Sequence, residues 1–400
     1  MDAHHRFWNT GHLSLTKITI TSKNSLRNSL SKSQLMNDVN SLYQFIYQAV
    51  EAEASDIHLK IGHSPIYRLD GQLYNADAPP LTPEQLGELI EIMLTPNLKE
   101  QYEKNQQVDF AWNLNDQTRF RGNLFNSGGV ATLCLRYVKS ASQTFESLNL
   151  PAELSKIAMT RRGIVLLSGT TGSGKSTTLG AMINFINDRE FKRIITVEDP
   201  VEYLFEDRKS LISQREVGFD TATFESGLKA SLRQDPDIIM VGEIRDRSSV
   251  ETAVSAAETG HLIFSTVHAE NSAQGVQRIL DMFPSTDRQQ IRLALSQALK
   301  AIICQRLVPG LDGKVLPAIE ILRTNALVRK LIIEEKPDKL QVVIEGGEEE
   351  GMISFNQSLY KMVKSEKVDQ KVALEYASNP EALQMNLKGI FLDTGRKIVS

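Results

Sequence analysis

The sequence predicts an α/β protein, with a parallel sheet between helices preceded by a smaller α+β domain. Three observations predict this. Residues 164–167, 194–197, 238–241 and 262–267 are short and almost wholly apolar, as strands covered on both faces must be. One of these runs leads into a glycine-rich loop and then a helical pattern. The chain before residue 140 instead alternates apolar and polar residues in short segments, as half-buried antiparallel strands do. A length of 400 residues allows two or three domains, and 41% apolar with 24% charged residues is ordinary globular usage.

In chain order, residues 1–36 come first. Between Ala3 and Leu35 there is no Asp or Glu, while Arg6, Lys17, Lys23, Arg27 and Lys32 are present. This predicts a disordered basic extension lacking the apolar core of an export signal. Asp38 caps a helix in which Val39, Leu42, Ile46 and Val50 form a stripe widened by Phe45 and Ala49. The period then changes to two at 57–61 and 66–69, and Asp70-Gly71 turns the chain into 72–74. Pro79-Pro80 interrupts, and Thr82-Pro83-Glu84 opens a helix to about Leu94. Strands follow at 108–112, 119–125 and 131–138, which completes an α+β domain over 37–140.

Residues 141–150 read as a linker, and 151–370 as the α/β domain with C-terminal helices. Within it, 285–308 reads as one long helix, with Ile291, Leu295, Leu299 and Ile302 on a face. Residues 345–350 read as an acidic loop, Phe355, Leu359 and Met362 as a helix, and 371–400 as a peripheral tail. Cys134 and Cys304 stand alone, so the chain has no zinc cluster or disulfide framework, and it suits a reducing compartment. The net charge of −4 disfavours binding nucleic acid through bulk basicity, and no apolar run reaches the ~20 residues of a membrane span.

The chemistry concentrates in one loop. Gly169, Thr170, Thr171, Gly172, Ser173, Gly174, Lys175 and Ser176 match G-x-x-x-x-G-K-[ST], with Thr177 next in the helix. Glycines let the backbone curl and aim its N–H groups at phosphate oxygens, and the helix adds the positive end of its dipole. Lys175 supplies a compact charge for the β/γ-phosphates, and Ser176 a hydroxyl for Mg²⁺, so ATP and Mg²⁺ are the expected ligands. The run that begins at Asp235 ends in Glu243, the expected metal-side acid. A third box, Thr196-Val-Glu-Asp-Pro-Val-Glu-Tyr203, offers Glu202 to orient or deprotonate water. His261 and His268 bracket the last apolar run, where a γ-phosphate sensor is expected.

These boxes, in this order, resemble the type II/IV secretion ATPases, and among them the PilT/PilU family of type IV pilus retraction ATPases. The resemblance extends to Ala54-Ser-Asp-Ile-His-Leu59, Arg119-Phe-Arg121 and Gln214-Arg-Glu-Val217. It implies a RecA-like ATPase domain behind a PAS-like domain, in a homohexameric ring. It further implies Glu202 as the catalytic carboxylate, and His261 and His268 as couplers of nucleotide state to the domain interface. Arg119, Arg121 and Arg136 would reach the γ-phosphate. An inner-membrane platform protein, and a paralogous retraction ATPase, are the implied partners of a cytoplasmic motor peripheral to that membrane. Two distant cysteines cannot form the four-cysteine module of pilus-extension ATPases, which weakens that alternative, and overall acidity weakens a DNA translocase. The region after Gly351-Met352 is more similar to PilU.

Overall fold

A computed structural model describes residues 39–115 and 118–391. The expected basic extension at 1–36 therefore lies outside the described residues. The chain divides into two compact units, Met1–Tyr137 and Val138–Ser400.

In the first unit, helix α1 (Val39–Glu51) precedes strands β1 (Asp56–Lys60), β2 (Ile66–Leu69) and β3 (Gln72–Asn75). Helices α2 (Pro83–Met93) and α3 (Pro96–Asn105) follow, then the long strands β4 (Gln107–Asn115), β5 (Thr118–Ser127) and β6 (Val130–Ser140). The sheet order is β3-β2-β1-β6-β5-β4. Alternation works as expected along β5: Phe120 and Leu124 are fully buried, while Arg119 and Arg121 fall on the opposite, polar face. A reciprocal cap starts α2, because the Thr82 hydroxyl accepts the Gln85 N–H and the Gln85 side chain accepts the Thr82 N–H.

The second unit is a seven-stranded sheet. Its strands are β7 (Gly163–Ser168), β8 (Arg193–Glu198), β10 (Leu211–Glu216), β11 (Ile238–Val241), β12 (Leu262–Val267), β13 (Leu299–Pro309) and β14 (Val315–Arg323). The order is β10-β8-β11-β12-β7-β13-β14, parallel throughout except for β14. A two-residue strand β9 (Tyr203–Leu204) is not part of this sheet and pairs in parallel with residues 139–140 at the end of β6. Apolar runs were expected to be covered on both faces, and they are. Ile164 and Leu166 of β7 enter one core cluster, and Val165 and Leu167 enter the other. Each such fully buried side chain contributes about 2 kcal/mol. Helices α4 (Glu153–Ala158) and α5 (Lys175–Asn187) lie in the second unit too, with α6 (Phe224–Ser231), α7 (Arg247–Glu258) and α8 (Ser272–Asp281) further along the chain.

Three expectations are corrected. The long helix over 285–308 is instead α9 (Arg288–Ala298) followed directly by β13, whose residues 301–304 are buried beside β7. Leu299 and Ile302 happened to extend the helical spacing, but Ala301-Ile-Ile-Cys304 is a strand covered on both faces. The segment 141–150 is not a bare linker, since Ala141, Phe145 and Leu150 are buried. The tail over 371–400 is docked as far as it is described. After α10 (Ala326–Ile333), α11 (Leu340–Gly346) and α12 (Phe355–Lys364) come α13 (Gln370–Tyr376) and α14 (Pro380–Leu387), whose Ala373 and Leu383 are fully buried in the larger core. The acidic loop is the end of α11 followed by a short 3₁₀ turn, Glu348–Glu350.

Candidate active site

Parallel strands place all their C-terminal ends at one edge of the sheet, and ligands of such sheets bind there. Four connections leave that edge side by side: after β7, β8, β11 and β12. They enclose a cleft of about 570 Å³.

The first connection is the glycine loop. Gly174 sits at φ +86° as the residue before α5, and a Cβ there would come within 2.7 Å of the Gln305 side-chain nitrogen. Gly169 faces the Gln305 carbonyl in the same way at 2.5 Å. No other residue type fits both the backbone angle and the space. Thr178, one turn into α5, donates its hydroxyl to Gln305 Oε1 at 2.7 Å, so β13 braces the loop from behind. Thr171, Gly172, Gly174, Lys175, Ser176 and Thr177 line the cleft. Gly169 and Ser173 are instead packed behind the loop, and Thr170 contributes its carbonyl. The Lys175 ammonium donates to the carbonyls of Gly169 and Thr170, both at 2.9 Å. Burial pulls its pKa down, and the carboxylates of Glu243 and Glu202 oppose that shift.

Glu243 leaves the end of β11. Thr266 of β12 donates its hydroxyl to the Gly242 carbonyl at 2.7 Å, and the Ile244 N–H bonds the Thr266 carbonyl at 3.1 Å. The segment that carries Glu243 is thus tied to β12 on either side of it. One oxygen of Glu243 lies 3.3 Å from His268 Nε2, and the other accepts from Arg245 Nε at 2.6 Å. Glu202 follows β8, lines the cleft and is exposed to it. Glu198, at the end of β8, also lines the cleft but is buried, and burial raises its pKa to about 7.

The structure brings Lys175, Ser176, Glu202, Glu243 and His268 to one cleft. His261 is not brought there. It precedes β12, at the opposite edge of the sheet, where its Nδ1 lies 2.9 Å from the Ala256 carbonyl. The expectation that both histidines sit at the phosphates is corrected accordingly: a six-residue strand separates its two ends by roughly 20 Å. Arg119, Arg121 and Arg136 belong to the first unit, and Arg136 Nε donates to the buried Asp56 at 2.8 Å. Sequence reading gave no role to Glu198 or Arg245. A carboxylate closing an otherwise apolar strand was the signal for the first, and Arg245 stood two residues after Glu243.

The donors at the cleft suit a hard divalent cation. Mg²⁺ takes one or two protein oxygens and completes its shell with phosphate and water. The Ser176 hydroxyl and the Glu243 carboxylate both line the cleft. Among the described residues no group of three or more His, Cys, Asp or Glu converges, and such a site needs none.

Comparison with known proteins decides the family. Residues 31–371 match the type II/IV secretion system protein family. The chain belongs to that family. Among its relatives in the family, PilT, the type IV pilus retraction ATPase of Pseudomonas aeruginosa, is 36% identical over 86% of this chain and 99% of its own. PilU, the type IV pilus ATPase of the same organism, is 37% identical over 85% of this chain and 89% of its own. A twitching motility protein of Neisseria gonorrhoeae is 39% identical over 80% and 86%. The crystal structure of the pilus retraction motor PilT with bound ADP superposes with a TM-score of 0.78 at 40% identity, over 86% of this chain and 98% of that one. Family membership makes this a P-loop ATPase fold, in line with the loop, strands and acids above. No helix of the described residues is long and apolar enough to cross a membrane.

Proposed function

We propose that this chain is a Mg²⁺-dependent ATPase motor that retracts a type IV pilus. Its relatives named for retraction and twitching support the pilus reading. One observation carries the chemistry: the phosphate-loop Lys175, an exposed Glu202 and a braced Glu243 line the same cleft.

In this reading the loop N–H groups and Lys175 hold the β- and γ-phosphates. Ser176 and Glu243 would hold Mg²⁺, which when bound neutralises charge on the phosphate oxygens. Arg245 and His268 hold the Glu243 carboxylate in position. Glu202 orients the attacking water and takes up its proton. His268, beside Glu243, is placed to respond to the γ-phosphate, while Arg119, Arg121 and Arg136 are proposed to reach a nucleotide site from the first unit of a neighbouring copy. The proposed assembly is a homohexameric ring acting on an inner-membrane platform protein from the cytoplasmic side, alone or with a paralogous ATPase.

Two variants test the chemistry. Lys175→Ala should weaken nucleotide binding and abolish phosphate release. Glu202→Gln should bind a fluorescent ADP as the wild type does and lose turnover by about 100-fold or more. Wild-type turnover in Glu202→Gln refutes its role. In the cell, loss of the gene should raise the number of surface pili and stop twitching, and unchanged motility argues against the motor.

A further inference from the structure

The loop that carries Glu202 has almost no regular structure, only the two residues of β9. Those two residues pair in parallel with Lys139 and Ser140, and the Ala141 N–H bonds the Leu204 carbonyl at 2.7 Å; the rest of the loop is held by side chains from the two strands at one side of the sheet. Glu198 accepts the Thr196 hydroxyl at 2.6 Å. Glu216 accepts the Val201 N–H at 3.3 Å. Gln214, on β10, does more than either. Its amide nitrogen donates to the Tyr203 carbonyl at 2.8 Å and to Glu198 Oε1 at 3.1 Å, and its amide oxygen accepts the Phe205 N–H at 2.9 Å. The Tyr203 hydroxyl then meets the Thr177 hydroxyl at 2.9 Å, in the first turn of the phosphate-loop helix. Within Gln214-Arg-Glu-Val217, Arg215 spends its guanidinium elsewhere, on the carbonyls of Gly227 and Asp220.

We infer that Gln214 is a positioning residue for hydrolysis: by clamping residues 198, 203 and 205 at once, it fixes Glu202 over the phosphate loop. This rests on the reading of Glu202 given above. Gln214 is suited to the task because one planar group both donates and accepts. A leucine of similar size would leave the Tyr203 carbonyl and the Phe205 N–H unpaired, and a glutamate would replace the donor with a second carboxylate against Glu198. Either change loosens the loop on one side of Glu202, leaving it tied there by the pairing of residues 203 and 204 with 139 and 140, while Lys175 and its carbonyl partners are untouched. Misplacing a reacting group by an ångström costs on the order of 100-fold in rate.

The test measures kcat, KM and the Kd for fluorescent ADP on the full-length assembled protein, for Gln214→Leu, Gln214→Glu, Glu202→Gln and the double variant Gln214→Leu/Glu202→Gln. Gln214→Leu should lower kcat by about 10- to 100-fold with Kd within about twofold of wild type. In the double variant the leucine should add nothing to the loss caused by Glu202→Gln, because Gln214 acts through Glu202. Gln214→Glu keeps the size and polarity of the side chain, so it stands in if the leucine variant does not fold, and the same fall in kcat is expected. A wild-type kcat in the folded Gln214 variants overturns the inference. So does a parallel loss of ADP affinity, which would mark a merely structural residue, or a full further loss in the double variant. If Glu202→Gln is inactive while Gln214→Leu turns over normally, the clamp alone falls. If Glu202→Gln turns over normally, the underlying reading of Glu202 falls, and the clamp with it.

Discussion

Glu198 shows what a single carboxyl group endures at this sheet edge. Burial raises its pKa to about 7, against hydrogen bonds from Thr196, Gln214 and the Glu202 amide that favour the ionised form, while the charge of Glu202 pushes the same way as burial. The folded pKa therefore lies above the ordinary value of 4.5, so the native protein holds a proton that the unfolded chain releases. The resulting stability is fully present below pH 4.5 and is lost as pH rises through about 7. Glu198→Gln removes this linkage. The thermal midpoint of the wild type should fall more than that of Glu198→Gln between about pH 4.5 and 7, and the two should run parallel above that. Parallel midpoints across the lower range as well would show that Glu198 ionises in place at no cost. The same residue bears on Gln214, since the amide donates to this carboxyl group, four residues before Glu202.

Elements are held by contacts that a side-chain pattern only partly reveals. In β5, a Cβ at Gly122 would lie 2.2 Å from the Phe110 ring of β4, opposite it in register. Gly122→Ala should therefore cost about 1–3 kcal/mol of stability in chemical denaturation, and trimming the ring with Phe110→Leu should recover much of it. An unchanged midpoint for Gly122→Ala would mean that the strands shift freely. The apolar strands were legible because every position is covered, so composition alone marks them. The helix α3 was not, because none of its residues is fully buried and only Leu98 and Tyr102 pack against the core, too few to mark a helical period. The 285–308 region was misread because helical spacing ran by coincidence across the boundary between α9 and β13. At the site, the loop and the acids at strand ends were legible, being local in sequence. His261 was misplaced because a strand has two ends and only its C-terminal end faces the cleft. The clamp around Glu202 joins residues 9–16 positions apart across a sheet register, and that pairing exists only once β10 lies beside β8.

The charge in the cleft bears on the whole molecule. Glu198, Glu202 and Glu243 line it, while Arg245 is already committed to Glu243, so a bound γ-phosphate gains Lys175 as its cation from these elements. Hydrolysis spreads further negative charge onto the transferred group, and an added guanidinium is the usual remedy. Arg136 is engaged with Asp56, whereas Arg121 is exposed on the polar face of β5. If a neighbour's Arg121 completes each site in a head-to-tail ring, Lys175→Ala and Arg121→Ala damage opposite sides of one interface. Each variant alone should be nearly inactive. Mixed in equal amounts and reassembled at random, half the interfaces have an intact Lys175 and half of those an intact Arg121. About a quarter of the wild-type turnover per site should return. Activity should also fall on dilution below the assembly threshold. No recovery on mixing, with both variants shown to co-assemble, would place the arginine's effect within one chain and remove the case for a shared site.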